Sequence, residues 1–405
     1  MNLVLLGLLG FFLFYLALLS VFAATGALRA NFESSRERIF AVVVPAHNEE
    51  LVIERTLDSL FRMNYRREFF DVIVVADHCS DRTAEIARSL GAIVFERDNQ
   101  PERGKGHALR WCFEKLLSPP SDYEAVVVVD ADTVASRNFL SVLNFYLERG
   151  AEAVQAADVV EPTPGLWSPE VTRVGLTLNN YARPLGRRFF GFSSGLRGNG
   201  MCFSAALLRD FPWNAFSLTE DLEYGLNLLL NGHTVIFAPE AAVYAKMPTE
   251  ARNAETQRAR WEGGRVPVIR KYSKLLLAAA IKRKPLLYLD ALIDLITPAF
   301  TNMVVVVLGM LCLNLLGVWT GVVHDDRLAL CWCVLVLLGG VHVLVGLAAA
   351  HADSGQYRAL LYFPRYAAWK LYLYLKLLTG GGPRTWIRTD RERDHLRTAS
   401  GKSSV

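Results

Sequence analysis

The sequence predicts an α/β domain built on a mostly parallel sheet, accompanied by transmembrane and interfacial α-helices. Three observations predict it. The chain is 52% hydrophobic, yet its long apolar runs gather at the two ends. The middle alternates β-branched runs with helix-length segments, the rhythm of βαβ units. Acidic and polar residues sit just beyond the ends of those runs, where open α/β sheets bind ligands.

A length of 405 residues suits two domains, or one large domain with attached membrane segments. A net charge of +4, with no dense Lys/Arg block, gives no electrostatic footprint for nucleic acid. The six cysteines form no CxxC pair, and Cys331 and Cys333 lie inside an apolar run. A reducing compartment is expected, with neither a disulfide frame nor a cysteine metal site.

Residues 3–28 are apolar without one charge, and at about 1.5 Å per residue they exceed the roughly 30 Å of a bilayer core. No basic residue precedes them, so an uncleaved anchor is favoured over a signal peptide. Residues 299–319 are interrupted by Thr301, Asn302 and Asn314, and residues 328–350 by His342. Both runs read as spans. Arg29, Arg36, Arg38, Lys282, Arg283, Lys284, Arg358, Arg365, Lys370 and Lys376 flank the spans on one side, which the positive-inside bias assigns to the cytoplasm. The N-terminus is then outside, and the middle and C-terminus inside, in a bacterial inner membrane. Residues 286–296, with Asp290 and Asp294 one turn apart, and residues 366–378 read as interfacial helices in contact with membrane lipid; packing on the middle domain is the alternative. The expected division is an anchor over 1–30, a cytoplasmic domain over 36–272 and an amphipathic segment over 273–298. Two spans over 299–350 and an interfacial helix with a polar tail over 358–405 complete it.

In the middle, residues 39–45 form a β-branched run typical of a strand buried on both faces. A helix is expected over 50–62, a strand over 71–76 and a helix over 83–90. A short strand over 92–95, a helix over 105–117 and a strand over 125–129 follow. Three strand ends converge on polar residues: His47, Asn48 and Glu49; Asp77, His78 and Asp81; Asp130 and Asp132. Asp81 before Thr83 reads equally as a helix cap.

Asp130-Ala131-Asp132 places two carboxylates on a tight turn after a run of valines. Hard cations such as Mg²⁺ or Mn²⁺ take oxygen ligands of this kind and tolerate phosphate oxygens as the rest. Thr219-Glu220-Asp221 opens a leucine-rich helix. Thr219 serves as a cap with the acids favoured by the helix dipole, or Asp221 serves as a general base. Gln257, Arg260 and Trp261 fall at i, i+3 and i+4 on one helix face, where an arginine binds phosphate and an indole stacks a sugar or meets lipid. The stretch at Arg103-Gly104-Lys105-Gly106 lacks the first glycine and the Ser/Thr of a P-loop.

Taken in order, these motifs resemble the family 2 glycosyltransferases, particularly the membrane-bound branch of cellulose, hyaluronan and chitin-oligosaccharide synthases. The resemblance rests on residues 44–50, 76–81, 104–109, 130–132, 219–221 and 257–261, and it covers about residues 39–265. It implies a GT-A fold, an inverting single displacement, and a UDP-sugar as donor. It implies that Asp77 contacts the base, that Pro45, His47 and Glu49 line the nucleotide with Asp81 beside them, and that Lys105 lies near the diphosphate. Asp130 and Asp132 would face ribose and a Mg²⁺ or Mn²⁺ ion, Asp132 being the direct ligand. Asp221, with Glu220 beside it, would be the catalytic base. Gln257 and Arg260 would hold the diphosphate, and Trp261 would stack on the acceptor. Gly198 and Asn199, in the glycine-rich stretch that replaces the cysteine-containing acceptor motif of cellulose synthases, would contact the acceptor with Trp261. That replacement, and only three spans, favour a lipid-linked or short glycan acceptor over a processive, secreting synthase. A non-catalytic scaffold that binds nucleotide-sugar and a membrane partner subunit is the reading from another class.

Overall fold

The computed structural model describes residues 2–26, 31–98, 101–247, 251–283, 285–322 and 326–369, without the side chains of 251–256 and 258–262. By their contacts the described residues form two compact units. One comprises residues 31–161 and 192–287, the other 2–26, 162–191 and 288–369.

In the first unit, β1 (Phe40–Ala46) leads to α2 (Ile53–Phe61), the label α1 belonging to the N-terminal helix Asn2–Thr25 of the other unit. There follow β2 (Phe70–Asp77), α3 (Thr83–Ser89), β3 (Ile93–Arg97), α4 (Lys105–Leu117), β4 (Ala125–Val128) and β5 (Thr133–Ala135). α5 (Phe139–Glu148) and β6 (Ala153–Val160) precede the excursion into the other unit. β1 pairs in parallel with β2 and β4, and β2 with β3, so their C-terminal ends open on one edge of the sheet.

Period-two alternation divides the core. Phe40, Val42, Val44, Val72 and Val74 pack against Ile53 and Leu57 of α2 and Phe139 and Leu143 of α5. Ala41, Val43, Ile73 and Val75 pack on the opposite face, against Leu109, Cys112 and Phe113 of α4. Both faces are covered, which is why these strands are continuous apolar runs. Each fully buried valine contributes about 1.5–3 kcal/mol relative to exposure.

The rest of the sheet was not expected. β7 (Met201–Ser204) lies antiparallel between β4 and β6, and β8 (Val235–Ala245) pairs in parallel with β6 and antiparallel with β5. The order is β3-β2-β1-β4-β7-β6-β8-β5. α8 (Ala205–Asp210) and α9 (Glu220–Leu230) cover the face already holding α4. α10 (Ala251–Lys282) runs unbroken through the expected boundary at 272/273.

In the second unit, α6 (Trp167–Thr177) and α7 (Arg183–Phe189) join α1, α11 (Pro285–Ile296), α12 (Phe300–Trp319), α13 (Arg327–Ala349) and α14 (Ser354–Ala359). α1, α12 and α13 are long and apolar enough to cross a membrane. Leu9, Phe12, Leu13 and Leu16 pack against Met303, Val307, Trp332 and Leu335. Two expectations are corrected. Residues 162–191, placed within the 36–272 domain, pack instead with the apolar helices. Asp290 and Asp294 do not form a polar face towards headgroups. Asp290 is 4% exposed; its Oδ2 lies 2.8 Å from Arg187 Nε and its Oδ1 accepts from Tyr15 OH at 2.8 Å. Asp294 meets Arg187 at 2.9 Å and Arg183 at 2.8 Å. The cations come from a segment more than a hundred residues away, so no local pattern reveals the pairing. Of the expected interfacial helix over 366–378, residues 370–378 lie outside the described residues.

Candidate active site

The strand ends meet as the α/β pattern requires, and most of their polar groups are already bound to one another. After β1 the chain turns through Asn48 at φ 55°. His47 Nδ1 donates to the Asp77 carbonyl at 2.6 Å, and Asn48 Oδ1 accepts from Ser80 N at 2.7 Å. Asp81 accepts from Thr83 N at 3.0 Å, Thr83 Oγ1 at 2.6 Å and Glu50 N at 3.1 Å. Burial opposes ionisation there, but these hydrogen bonds outweigh it and hold the carboxyl below its usual range. Asp81 thus secures both loops, as a capping residue does. Glu49 N donates to Thr83 Oγ1 at 2.8 Å, and Pro45 lies within β1.

Asp77, at the end of β2, is 7% exposed. Its Oδ1 accepts from Arg97 Nη1 at 2.6 Å and from His78 Nδ1 at 2.9 Å. Arg97, 3% exposed, escaped the sequence reading. The register pairing Asp77 with Arg97 across β2 and β3 is what reveals it.

The Asp130-Ala131-Asp132 turn is held from below and from the side. Thr56 Oγ1 on α2 donates to the Ala131 carbonyl at 2.7 Å and accepts from Thr133 N at 3.1 Å. Asn199 Oδ1 accepts from Asp130 N at 3.1 Å, and its Nδ2 donates to Thr133 Oγ1 at 3.0 Å. Asn199 is 5% exposed, so its amide is committed to this turn. Gln155 in β6, fully buried, fixes the glycine-rich loop by donating to Asn199 O at 2.7 Å and accepting from Arg197 N at 2.8 Å.

Lys105 opens α4 after Gly104, whose φ of 113° only glycine adopts freely. Its Nζ donates to Asp130 Oδ1 and to the Gly198 carbonyl, both at 2.5 Å. Gly198 has φ 84°, and a Cβ there would lie 3.3 Å from Asp221 Oδ2 and 3.8 Å from Lys105 Nζ. Three distant segments therefore meet at one point: α4, the 130–132 turn and the start of α9. Thr219 makes no side-chain cap on α9. Its hydroxyl donates instead to Gly264 O on α10 at 3.2 Å, and a Cβ on Gly264 would come within 3.0 Å of Leu218 and Thr219. The close approach seats α10 on the start of α9.

Burial raises Asp221 and Glu220 above the usual carboxylate range, with Lys105 opposing. A further carboxylate was not anticipated. Asp158 on β6 is pushed up to about 7 by burial and by the Asp130 charge, against Lys105. Its signal in the sequence is an acid inside a strand that is apolar but for Gln155. Among the described side chains, Asp130, Asp132, Asp158, Glu220 and Asp221 outnumber the cations Lys105 and Arg197 around them. This is an oxygen-rich, under-neutralised centre, and a hard divalent cation fits its donor set. Among the described residues no group of three or more His, Cys, Asp or Glu side chains closes a metal cage, so remaining ligands would come from substrate phosphate and water. Gln257 Oε1 on α10 is buried and meets no donor among the described residues. The side chains of Arg260 and Trp261 lie outside the described residues.

The chain belongs to the glycosyltransferase like family 2, whose model matches residues 37–264. The fold of this part is a GT-A-like one. The chain is similar to the probable glycosyltransferase YdaM of Bacillus subtilis, 23% identical over 381 residues, which cover 88% of this chain and 87% of that protein. It is also similar to the beta-monoglucosyldiacylglycerol synthase of Trichormus variabilis, 29% identical over 234 residues. That match covers 55% of this chain and 48% of the synthase, so the chain spans about half the length of that relative. In fold it is similar to the mannosyltransferase PcManGT from Pyrobaculum calidifontis, solved with GDP-Man and Mn²⁺. The TM-score is 0.52 at 17% identity, covering 87% of this chain and 100% of that one.

Proposed function

We propose that this protein moves a sugar from a nucleotide-sugar, UDP-linked, to a hydroxyl of a lipid-linked acceptor, in one inverting displacement. The observation that carries the reading is the meeting of Lys105, Asp130, Gly198 and Asp221 at the C-terminal edge of the sheet. Asp77, Pro45, His47 and Glu49 bind the nucleoside, and Lys105 turns from Asp130 to the incoming diphosphate. Gln257 and Arg260 hold that diphosphate from α10, and Trp261 stacks on the acceptor. Asp221 takes the proton from the acceptor hydroxyl as its oxygen bonds to the anomeric carbon. The bond from that carbon to the diphosphate breaks on the opposite face, and the nucleoside diphosphate leaves with the electron pair. A carboxylate raised by burial is matched to such proton abstraction near neutral pH. Asp132, with Asp130, would hold Mg²⁺ or Mn²⁺, which supplies neutralising charge to the diphosphate leaving group.

The lipid acceptor is supported by three helices able to cross a membrane and by the name of the Trichormus relative. The basic residues flanking those helices support a cytoplasmic catalytic domain over 36–272 with the 162–191 excursion removed from it, and an outside N-terminus. Because PcManGT was solved with GDP-Man, GDP-mannose belongs in the donor screen beside the UDP-sugars. Detergent-solubilised protein given each donor with extracted membrane lipid should release nucleoside diphosphate and glycosylate the lipid. Product confined to long polysaccharide would instead support the processive synthase.

A further inference from the structure

α7 belongs to a segment that interrupts the catalytic unit, and it packs directly on helices able to span a membrane. A Cβ on Gly186 would meet the Leu19 carbonyl oxygen of α1 at 2.2 Å, and one on Gly346 of α13 would meet Leu178 at 2.6 Å and Ser20 at 3.2 Å. These contacts fall inside the apolar stretches of α1 and α13. Two of the charges this segment brings, Arg183 and Arg187, pair with Asp294 and Asp290 in a buried cluster. Paired, buried charge is the form in which ionic groups are tolerated next to lipid.

At its C-terminal end α7 shows aromatic rings outward, from its last residue Phe189 and from Phe190 just beyond it. Phe189 and Phe190 are 50% and 38% exposed. Both rings stand 4.7 Å, centroid to centroid, from Phe22 near the end of α1. Along α1 the exposed apolar residues Val4, Leu8, Phe11, Phe14, Leu18 and Val21 recur at three- and four-residue intervals, forming one outward stripe. Phe22 lies one turn beyond Leu18, so the pair at the end of α7 continues that stripe.

We propose that Phe189 and Phe190 are a lipid-contacting patch, covered by the acyl chains of the leaflet at the C-terminal end of α1. α7 then lies in the membrane without crossing it. The chain after it reaches Gly198 in eight residues, so the loop beside Asp221 is tethered to a membrane-embedded element. This rests on the reading that α1 spans a bilayer.

The test replaces Phe14, Phe189, Phe190 or Ile93, one at a time, by photoreactive p-benzoylphenylalanine. Each full-length protein is placed in nanodiscs of phosphatidylethanolamine and phosphatidylglycerol, irradiated, and weighed by mass spectrometry for covalent phospholipid. Ile93, 41% exposed on β3 of the catalytic unit, is the control away from lipid. Positions 189 and 190 are expected to capture phospholipid as Phe14 does, about tenfold above Ile93. Capture at Phe14 with 189 and 190 no higher than Ile93 overturns this inference alone. Failure at Phe14 as well overturns the spanning reading and the patch with it.

Discussion

Asp221 sits against a backbone that leaves little room for a side chain. Gly198 faces its carboxylate with φ 84°, and a Cβ there would stand 3.3 Å from Oδ2. Gly198→Ala is expected to lose about 1–2 kcal/mol from the left-handed backbone and, in addition, transfer activity. Gly232 has φ 96° with nothing within 4 Å of a Cβ, so Gly232→Ala should lose similar stability and keep its activity. Equal activities in the two variants, measured beside their melting temperatures, would contradict a role for this contact. Asp221→Asn keeps shape and removes the base, so the turnover rate should fall on the order of 10²–10⁴-fold with little change in melting temperature. Four acids of this centre, Asp130, Asp132, Glu220 and Asp221, were legible because each follows a strand or opens a helix. Arg97, Gln155 and Asp158 were not, because their roles depend on which strands are neighbours. The hydrogen bonds of the Asn199 amide to Asp130 N and Thr133 Oγ1 are equally invisible in the glycine-rich stretch, because they join it to a strand end almost seventy residues earlier.

Among the elements, β1, β2 and β4 were legible because a strand buried on both faces is a run of valine and isoleucine, and the short edge strand β3 by its place between two helix-length segments. β8 was hidden by its own irregularity. Its pairing with β6 shifts between Ala156 and Ala157, skipping Pro239 to Ala241. The excursion carrying α6 and α7 was hidden because its arginines look like surface residues until their partners are known. Arg187→Met strands Asp290 and half of the Asp294 pairing in a buried site, a loss of about 3–5 kcal/mol. Arg187→Met combined with Asp290→Leu should recover part of it, as thermal unfolding in detergent would record. A lone Arg187→Met without effect would contradict the cluster's structural weight. At the start of α14, Arg173 of α6 holds the Asp353 carboxyl below its ordinary value by a direct hydrogen bond. A depressed carboxylate adds stability that is present above its unfolded value and lost as pH falls through the folded one. Asp353→Asn, which keeps the cap on Gln356 N, should therefore melt lower than the natural protein at pH 7. The gap should close as pH falls below about 4; a gap that persists would contradict the ion pair.

For the whole molecule, a catalytic unit of the glycosyltransferase like family 2 is interrupted by a segment that packs with membrane-type helices, and both return to the same chain stretch before Gly198. The excess of carboxylates over cations at the site makes it a poor host for a diphosphate unless positive charge enters with it. Chelation by EDTA should abolish sugar transfer, and Mn²⁺ or Mg²⁺ should restore it; full activity under EDTA would remove the metal from the account. The most direct measurement is nucleoside diphosphate release and lipid glycosylation by the purified full chain. UDP-glucose, UDP-N-acetylglucosamine, UDP-galactose, UDP-glucuronate and GDP-mannose would be screened with Mn²⁺ and extracted lipid, beside Asp221→Asn. Release with one of the UDP-sugars, matched by a new glycolipid and lost in the variant, is the predicted result. Transfer that survives Asp221→Asn unchanged, or no transfer from any donor in native membranes, would contradict it.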